Sequence, residues 1–441
     1  MSLAVVGATH LVETVTVRAE GGVITAVGAD VAPEPGDEVV DGTGRALLPG
    51  LVNGHTHAAM TLMRGFADDL PLKTWLEERV WPVEAKLTGE DVYWGTRLAC
   101  AEMTRTGTVL FWDMYWQVED IVRAVHDAGV RAAVAHPLVD FSGAAVADFL
   151  KDGALALLDA TVDDPLVTGC LGPHAIYTAS EPLLEWTART SAERDVPVHI
   201  HLSEDEHEVT DCVAEHGVRP VEYLDRLGLL TPRTVLAHCV FCDDRELALI
   251  AERGATIVTN PSSNLKLGIR SIFPYVAARA HGVPVGLGTD GAASNNALDL
   301  LSEVKLLALL QKHATGDPEA LPAHEAWDVV TGRLAPALGS SGRVEAGQPA
   351  DLVLVRADAV ELTPGDLVTN LVYAASGSVV DATVVAGRVL MREGSVPDES
   401  DIRREALARA RRLGTAKAAS DQDRQKSPGL TQVSGPSGRY S

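Results

Sequence analysis

Ala46-Leu-Leu-Pro-Gly-Leu-Val-Asn-Gly-His-Thr-His57 places a short apolar run directly ahead of two histidines separated by one residue. A run that is apolar throughout, rather than alternating, suits a strand buried on both faces. Working outward from this first run (46–52), seven more of the same kind follow, at 108–112, 131–135, 166–171, 196–200, 234–237, 255–258 and 284–287. Between them lie stretches with helical spacing, such as 90–105, 182–194, 243–253 and 298–312. Pro182 stands at a helix start and Gly254 where a helix should stop. Buried strands alternating with helices imply a parallel sheet covered on both faces, and eight such units predict an α/β fold of the (β/α)8 TIM-like barrel type. A doubly wound open sheet is the structural alternative.

The ends of the chain have a different texture. Thr14-Val-Thr-Val-Arg18 and Gly22-Val-Ile-Thr-Ala-Val-Gly28 read as short strands set among Gly, Pro and Asp turns. Asp351-Leu-Val-Leu-Val-Arg356 and Val379-Val-Asp-Ala-Thr-Val-Val-Ala-Gly387 repeat it. The expected organisation is a small β-sandwich domain built from residues 1–48 and 344–396, enclosing a catalytic barrel at 49–343. A C-terminal helix is expected at 397–419 and a disordered tail at 420–441, where Lys426-Ser-Pro-Gly opens a small, polar, turn-forming stretch.

The chain has 441 residues, 46% hydrophobic and 22% charged, with 37 Lys plus Arg against 61 Asp plus Glu for a net charge of −24. So acidic a balance argues against polymeric nucleic acid and against an anionic membrane as partners, since both need basic footprints. Five cysteines do not make a secreted disulfide framework, and the N-terminus lacks the basic and apolar regions of a signal peptide. A cytoplasmic protein is expected.

In a barrel of this type chemistry sits just past the C-terminal ends of the strands. There the sequence places His55 and His57, Pro173-His174, His201 with Glu204 three residues on, His238, and Asp290 after Gly288-Thr289. Alternate residues of a strand share a face, so His55 and His57 point the same way. With His201 and Asp290 they form an N3O set suited to Zn2+, with Fe2+ or Mn2+ as alternatives. The bland reading, hydrogen-bonded histidines, would suffice for one His-X-His pair but not for similar residues at several further strand ends. Glu204 is the next candidate, although Asp205, Glu206 and Glu208 beside it would also suit a helix N-terminus. His174 and Glu84 can be read as site residues or as ordinary loop and helix groups. Cys239-Val-Phe-Cys242 reads best as a pair of buried structural thiols.

Gly50-Leu-Val-Asn-Gly-His-Thr-His57, His201-Leu-Ser-Glu204, Leu236-Ala-His238 and Gly288-Thr-Asp290 resemble the amidohydrolase superfamily. Met63-Arg-Gly-Phe-Ala-Asp-Asp-Leu-Pro-Leu72, Val80-Trp-Pro-Val-Glu84, Gly172-Pro-His174 and Asn260-Pro-Ser-Ser-Asn-Leu-Lys-Leu-Gly268 narrow the likeness to the methylthioadenosine/S-adenosylhomocysteine deaminases, over residues 5–392. The resemblance implies one divalent metal ion on His55, His57, His201 and Asp290. It makes Glu204 and His238 the catalytic pair, with Asp290 as proton acceptor, and implies that Glu84 holds ribose hydroxyls while His174 contacts the nucleoside. The implied reaction is hydrolytic deamination, at C6, of adenosine, 5′-deoxyadenosine, 5′-methylthioadenosine or S-adenosylhomocysteine.

One departure from the family is visible. Relatives acting on S-adenosylhomocysteine tend to carry an Arg soon after the third strand, whereas this chain reads Ala135-His136-Pro137 and has no Arg through 140–150. An Arg fork is the usual partner for a carboxylate. The same hydrolytic site could also serve guanine, a pterin or an s-triazine, and a non-catalytic scaffold is a third reading. A homo-oligomer is compatible with all of these.

Overall fold

The computed structural model describes residues 2–416 other than 142. Eight parallel strands pair in chain order, each with its sequence neighbour: β1 Leu51–Thr56, β2 Thr108–Met114, β3 Arg131–Leu138, β4 Val167–Pro173, β5 Val198–Leu202, β6 Thr234–His238, β7 Thr256–Thr259 and β8 Val285–Leu287. The intervening helices pack outside, so both faces are buried and every residue of β1 and β2 is buried. The seam between β8 and β1 is closed by the Asp290 N–H on the His55 carbonyl at 3.0 Å. The Asn53 amide adds to it, donating to Thr289 Oγ1 at 2.8 Å and accepting from the Thr289 N–H at 3.0 Å. Gly288 permits this closure: a Cβ there would lie 2.3 Å from Asn260 Oδ1 and 2.9 Å from the His55 backbone.

The apolar run at 46–52 is two strands rather than one. Arg45–Pro49 pairs antiparallel with Leu352–Arg356, and β1 begins at Leu51. The break falls at Gly50, where a Cβ would come within 2.3 Å of Val109. Residues before it belong to an eight-stranded mixed sheet assembled from both chain ends, with the strand Ser2–His10 near its middle and Arg388–Met391 at one edge. This sheet has its own apolar core, including Leu3, Val17, Ile24, Leu47, Leu352 and Val384.

β3 continues past Ala135 through His136 and Pro137 to Leu138, so Pro137 is a strand residue opposite Gly172. The helices Gly89–Arg105 and Asp244–Arg253 start on capping boxes, and Gly254 ends the latter in the left-handed conformation. The helix Glu399–Leu413 docks on the barrel, where Arg412 pairs with the buried Asp91 and Arg105 meets Glu399 at 2.9 Å. The tail expected at 420–441 lies outside the described residues. No helix among the described residues is long and apolar enough to cross a membrane.

Candidate active site

All five strand-end residues singled out for a metal or its neighbourhood converge at the C-terminal mouth of the barrel. The donor atoms of His55, His57 and Asp290 lie within 4.8 Å of one another, as do those of His55, His201 and His238. Asp290 Oδ1 stands 3.4 Å from His55 Nε2 and 3.4 Å from His57 Nε2, while His57 Nε2 and His201 Nε2 are 3.3 Å apart.

The outer nitrogens explain why the inner ones converge. Nδ1 of His57 meets the Met114 carbonyl at 2.6 Å, Nδ1 of His201 the His174 carbonyl at 2.6 Å, and Nδ1 of His238 the Asn264 Oδ1 at 2.8 Å. Carbonyl oxygens only accept, so each Nδ1 carries the proton and each Nε2 presents a lone pair to the centre. This is the arrangement that orients histidine ligands in metal sites. His55 Nε2 is buried with no hydrogen-bond partner, an expensive state for a protein group unless something fills the centre. Burial pushes the His55 imidazole down to about 4 and that of His201 well below its usual value, so both are neutral at pH 7, as metal ligation requires. Burial pushes Asp290 up, but His55, His57 and His238 outweigh it and hold the carboxyl well below the usual range. Its other oxygen accepts from Ser263 Oγ at 2.5 Å and Ser294 Oγ at 3.0 Å. Three imidazole nitrogens and one ionised carboxylate fit a divalent metal.

Glu204 follows β5 in a turn whose Ser203 has φ +50°. Its Oε1 stands 3.7 Å from His238 Nδ1, and burial raises its carboxyl above the usual value. The Glu204 N–H donates to Glu208 Oε2 at 3.0 Å, so the acid four residues on fixes the turn that aims Glu204. Glu84 arrives on a different kind of element, a helical segment that widens to a π-turn at Leu76–Val80 before Trp81–Glu84. Such bulges recur at functional sites. Glu84, His174, Glu204, His238 and Asp290 all line one cavity of about 510 Å3, together with Trp81, Phe141 and Tyr177. Burial raises the Glu84 carboxyl, and it lowers His174 to about 4.

Sequence reasoning overlooked His199, whose Nε2 lies 2.9 Å from His55 Nδ1. The signal was present: Val-His-Ile-His is a second alternate-residue pair, and β5 turns both imidazoles inward. It also missed Asn264, Ser263 and Ser294, which touch the site only through folding. His136 is buried in β3 with Nδ1 on the Pro137 carbonyl at 3.0 Å, and it does not line the cavity. All five cysteines are free and buried, and Cys239 and Cys242 take no part in the donor clusters.

Residues 46–390 match the amidohydrolase family model, and the chain belongs to that family. Among its relatives, a 5′-deoxyadenosine deaminase of Methanoregula boonei is 48% identical over 379 residues, covering 85% of this chain and 86% of that protein. A 5-methylthioadenosine/S-adenosylhomocysteine deaminase of Halobacterium salinarum is 45% identical over 407 residues, 90% of this chain and 93% of that one. The crystal structure of an adenosine deaminase from Xanthomonas campestris with bound zinc superimposes with a TM-score of 0.88 at 36% identity, covering 94% of this chain and 98% of that chain.

Proposed function

We propose that this protein is a metal-dependent aminohydrolase that removes the 6-amino group of an adenosine-type nucleoside, releasing ammonia and the inosine-type product. Adenosine, 5′-deoxyadenosine, 5′-methylthioadenosine and S-adenosylhomocysteine are the candidate substrates. The observation that carries the reading is the meeting of Glu204, His238 and Asp290 in one cavity that Glu84 and His174 also line. The deaminase relatives support the same reading.

His55, His57, His201 and Asp290 would hold one Zn2+, which supplies Lewis acidity and makes hydroxide available near neutral pH. His238 and Asp290 orient the attacking water toward C6. Glu204 delivers a proton to the ring nitrogen next to C6, so that addition creates no full negative charge on the ring, and burial raises its carboxyl in the direction this role needs. Asp290 takes the proton of the water and passes it to the departing amine. Glu84 binds the ribose hydroxyls and His174 contacts the nucleoside.

A panel of the four nucleosides with guanine, a pterin and a chloro-s-triazine, scored by ammonia release and by the ultraviolet shift of the ring, tests the assignment. Turnover confined to the adenine nucleosides is expected. Faster turnover of a free base or a triazine would overturn it.

A further inference from the structure

The cavity does not end at its apolar neck. Leu72, Leu76, Trp81, Phe141 and Tyr177 also line a second chamber of about 900 Å3, and Glu204 stands on the wall of both. At the neck the Trp81 and Phe141 rings stack with centroids 6.1 Å apart. Beyond it the wall carries Glu77, Asp140, Asp205, Glu208, Asp211 and Glu215. Among the described residues lining it, Lys73 is the one permanent cation; its side chain is 84% exposed and its ammonium 4.0 Å from Glu77. Two histidines also line it, His207 and His216, the latter stacked on Tyr223.

Glu208 joins this wall to the catalytic cavity. It is 7% exposed, one carboxyl oxygen accepts the Glu204 N–H, and the other, Oε1, has no partner. This hydrogen bond ties the chamber wall to the turn that carries Glu204.

We propose that this chamber is the subsite for the 5′ substituent of the nucleoside, and that it selects a tail ending in an ammonium, or an uncharged tail, against one ending in a carboxylate. The inference rests on the deaminase reading of the adjoining cavity. A carboxylate placed here faces like charges and finds no guanidinium to pair with. An ammonium carries three donors and meets the carboxylates of Glu77, Asp140, Asp205, Asp211 and Glu215 around the wall.

The test uses adenosines bearing three 5′-thioether tails of matched length, 3-aminopropyl, butyl and 2-carboxyethyl, with adenosine as reference. At low salt the ammonium tail should equal or exceed the butyl tail in kcat/KM, and the carboxylate tail should fall about tenfold below it, a gap that narrows as the screening length drops from ~30 Å at 0.01 M salt to ~3 Å at 1 M. The exposed pair Asp211→Asn with Glu215→Gln should shrink the ammonium-to-carboxylate ratio while leaving adenosine turnover unchanged. Equal rates for the three tails beside normal adenosine turnover, or a ratio untouched by the double variant, would overturn the chamber assignment alone. No turnover of any adenosine would overturn the deaminase reading and this assignment with it.

Discussion

The Asp290 N–H donates to the His55 carbonyl at 3.0 Å, so the last and first barrel strands are sewn together by two residues whose side chains belong to the donor cluster. Closing the barrel and assembling the cluster are therefore one event. Anything that spreads the seam moves Oδ1 of Asp290 away from the imidazoles it faces at 3.4 Å.

Gly288→Ala tests that coupling. The added methyl would sit 2.3 Å from Asn260 Oδ1 and 2.9 Å from backbone, which has little freedom to yield. Overpacking of this kind costs about 1–3 kcal/mol. A lower melting temperature together with loss of bound metal is the expected pair of results.

Glu204→Gln keeps the shape of the side chain and removes its proton donor. Turnover should fall by about 10²–10⁴-fold, the usual worth of general acid catalysis, with metal content unchanged by elemental analysis.

Asn264→Ala withdraws the acceptor from His238 Nδ1, now 2.8 Å away. The ring would lose both its tautomer preference and its orientation. Partners of this type are worth about 10–100-fold, and the loss should appear in kcat/KM under conditions where the protein remains folded by circular dichroism.

Burial pushes the Glu208 carboxyl up to about 8. Below the ordinary value of 4.5 both folded and unfolded chains hold this proton; between 4.5 and about 8 the unfolded chain has lost it and the folded chain keeps it. Stability from this group is thus present at low pH and lost as pH rises through that window. Glu208→Gln cannot ionise, so the difference in melting temperature between variant and parent should grow in the variant's favour from pH 5 to pH 8. A constant difference would count against the raised value.

Chelation of the metal should uncover the partnerless His55 Nε2 and lower the melting temperature, since a ligand at a hundredfold its dissociation constant contributes about 2.7 kcal/mol. Titration back with Zn2+, followed by calorimetry, measures the same quantity in the other direction.

Much of the site was readable because strand chemistry is periodic. His55, His57, His201, His238 and Asp290 each end or follow a buried run, and the barrel rule then gathers them. What the sequence could not display is conformation in the loops. Ser203, His238, Cys239 and Asp290 all have positive φ, at roughly 1–3 kcal/mol each for residues with a side chain, and nothing in their identity announces it. The run at 46–52 concealed a break because Leu48 and Leu51 look alike whether they bury in one sheet or two. Partners such as the Met114 and His174 carbonyls are invisible in principle, since every residue has a carbonyl.

The pairing of Arg45–Pro49 with Leu352–Arg356 has a cost in time. At about 5–20 residues per second, a ribosome needs tens of seconds after making the first of these strands to deliver the second. Through that interval the early strand presents an unsatisfied edge, the feature that seeds association between nascent chains. A chaperone that shields this edge during synthesis should raise the yield of native protein more than one acting after release.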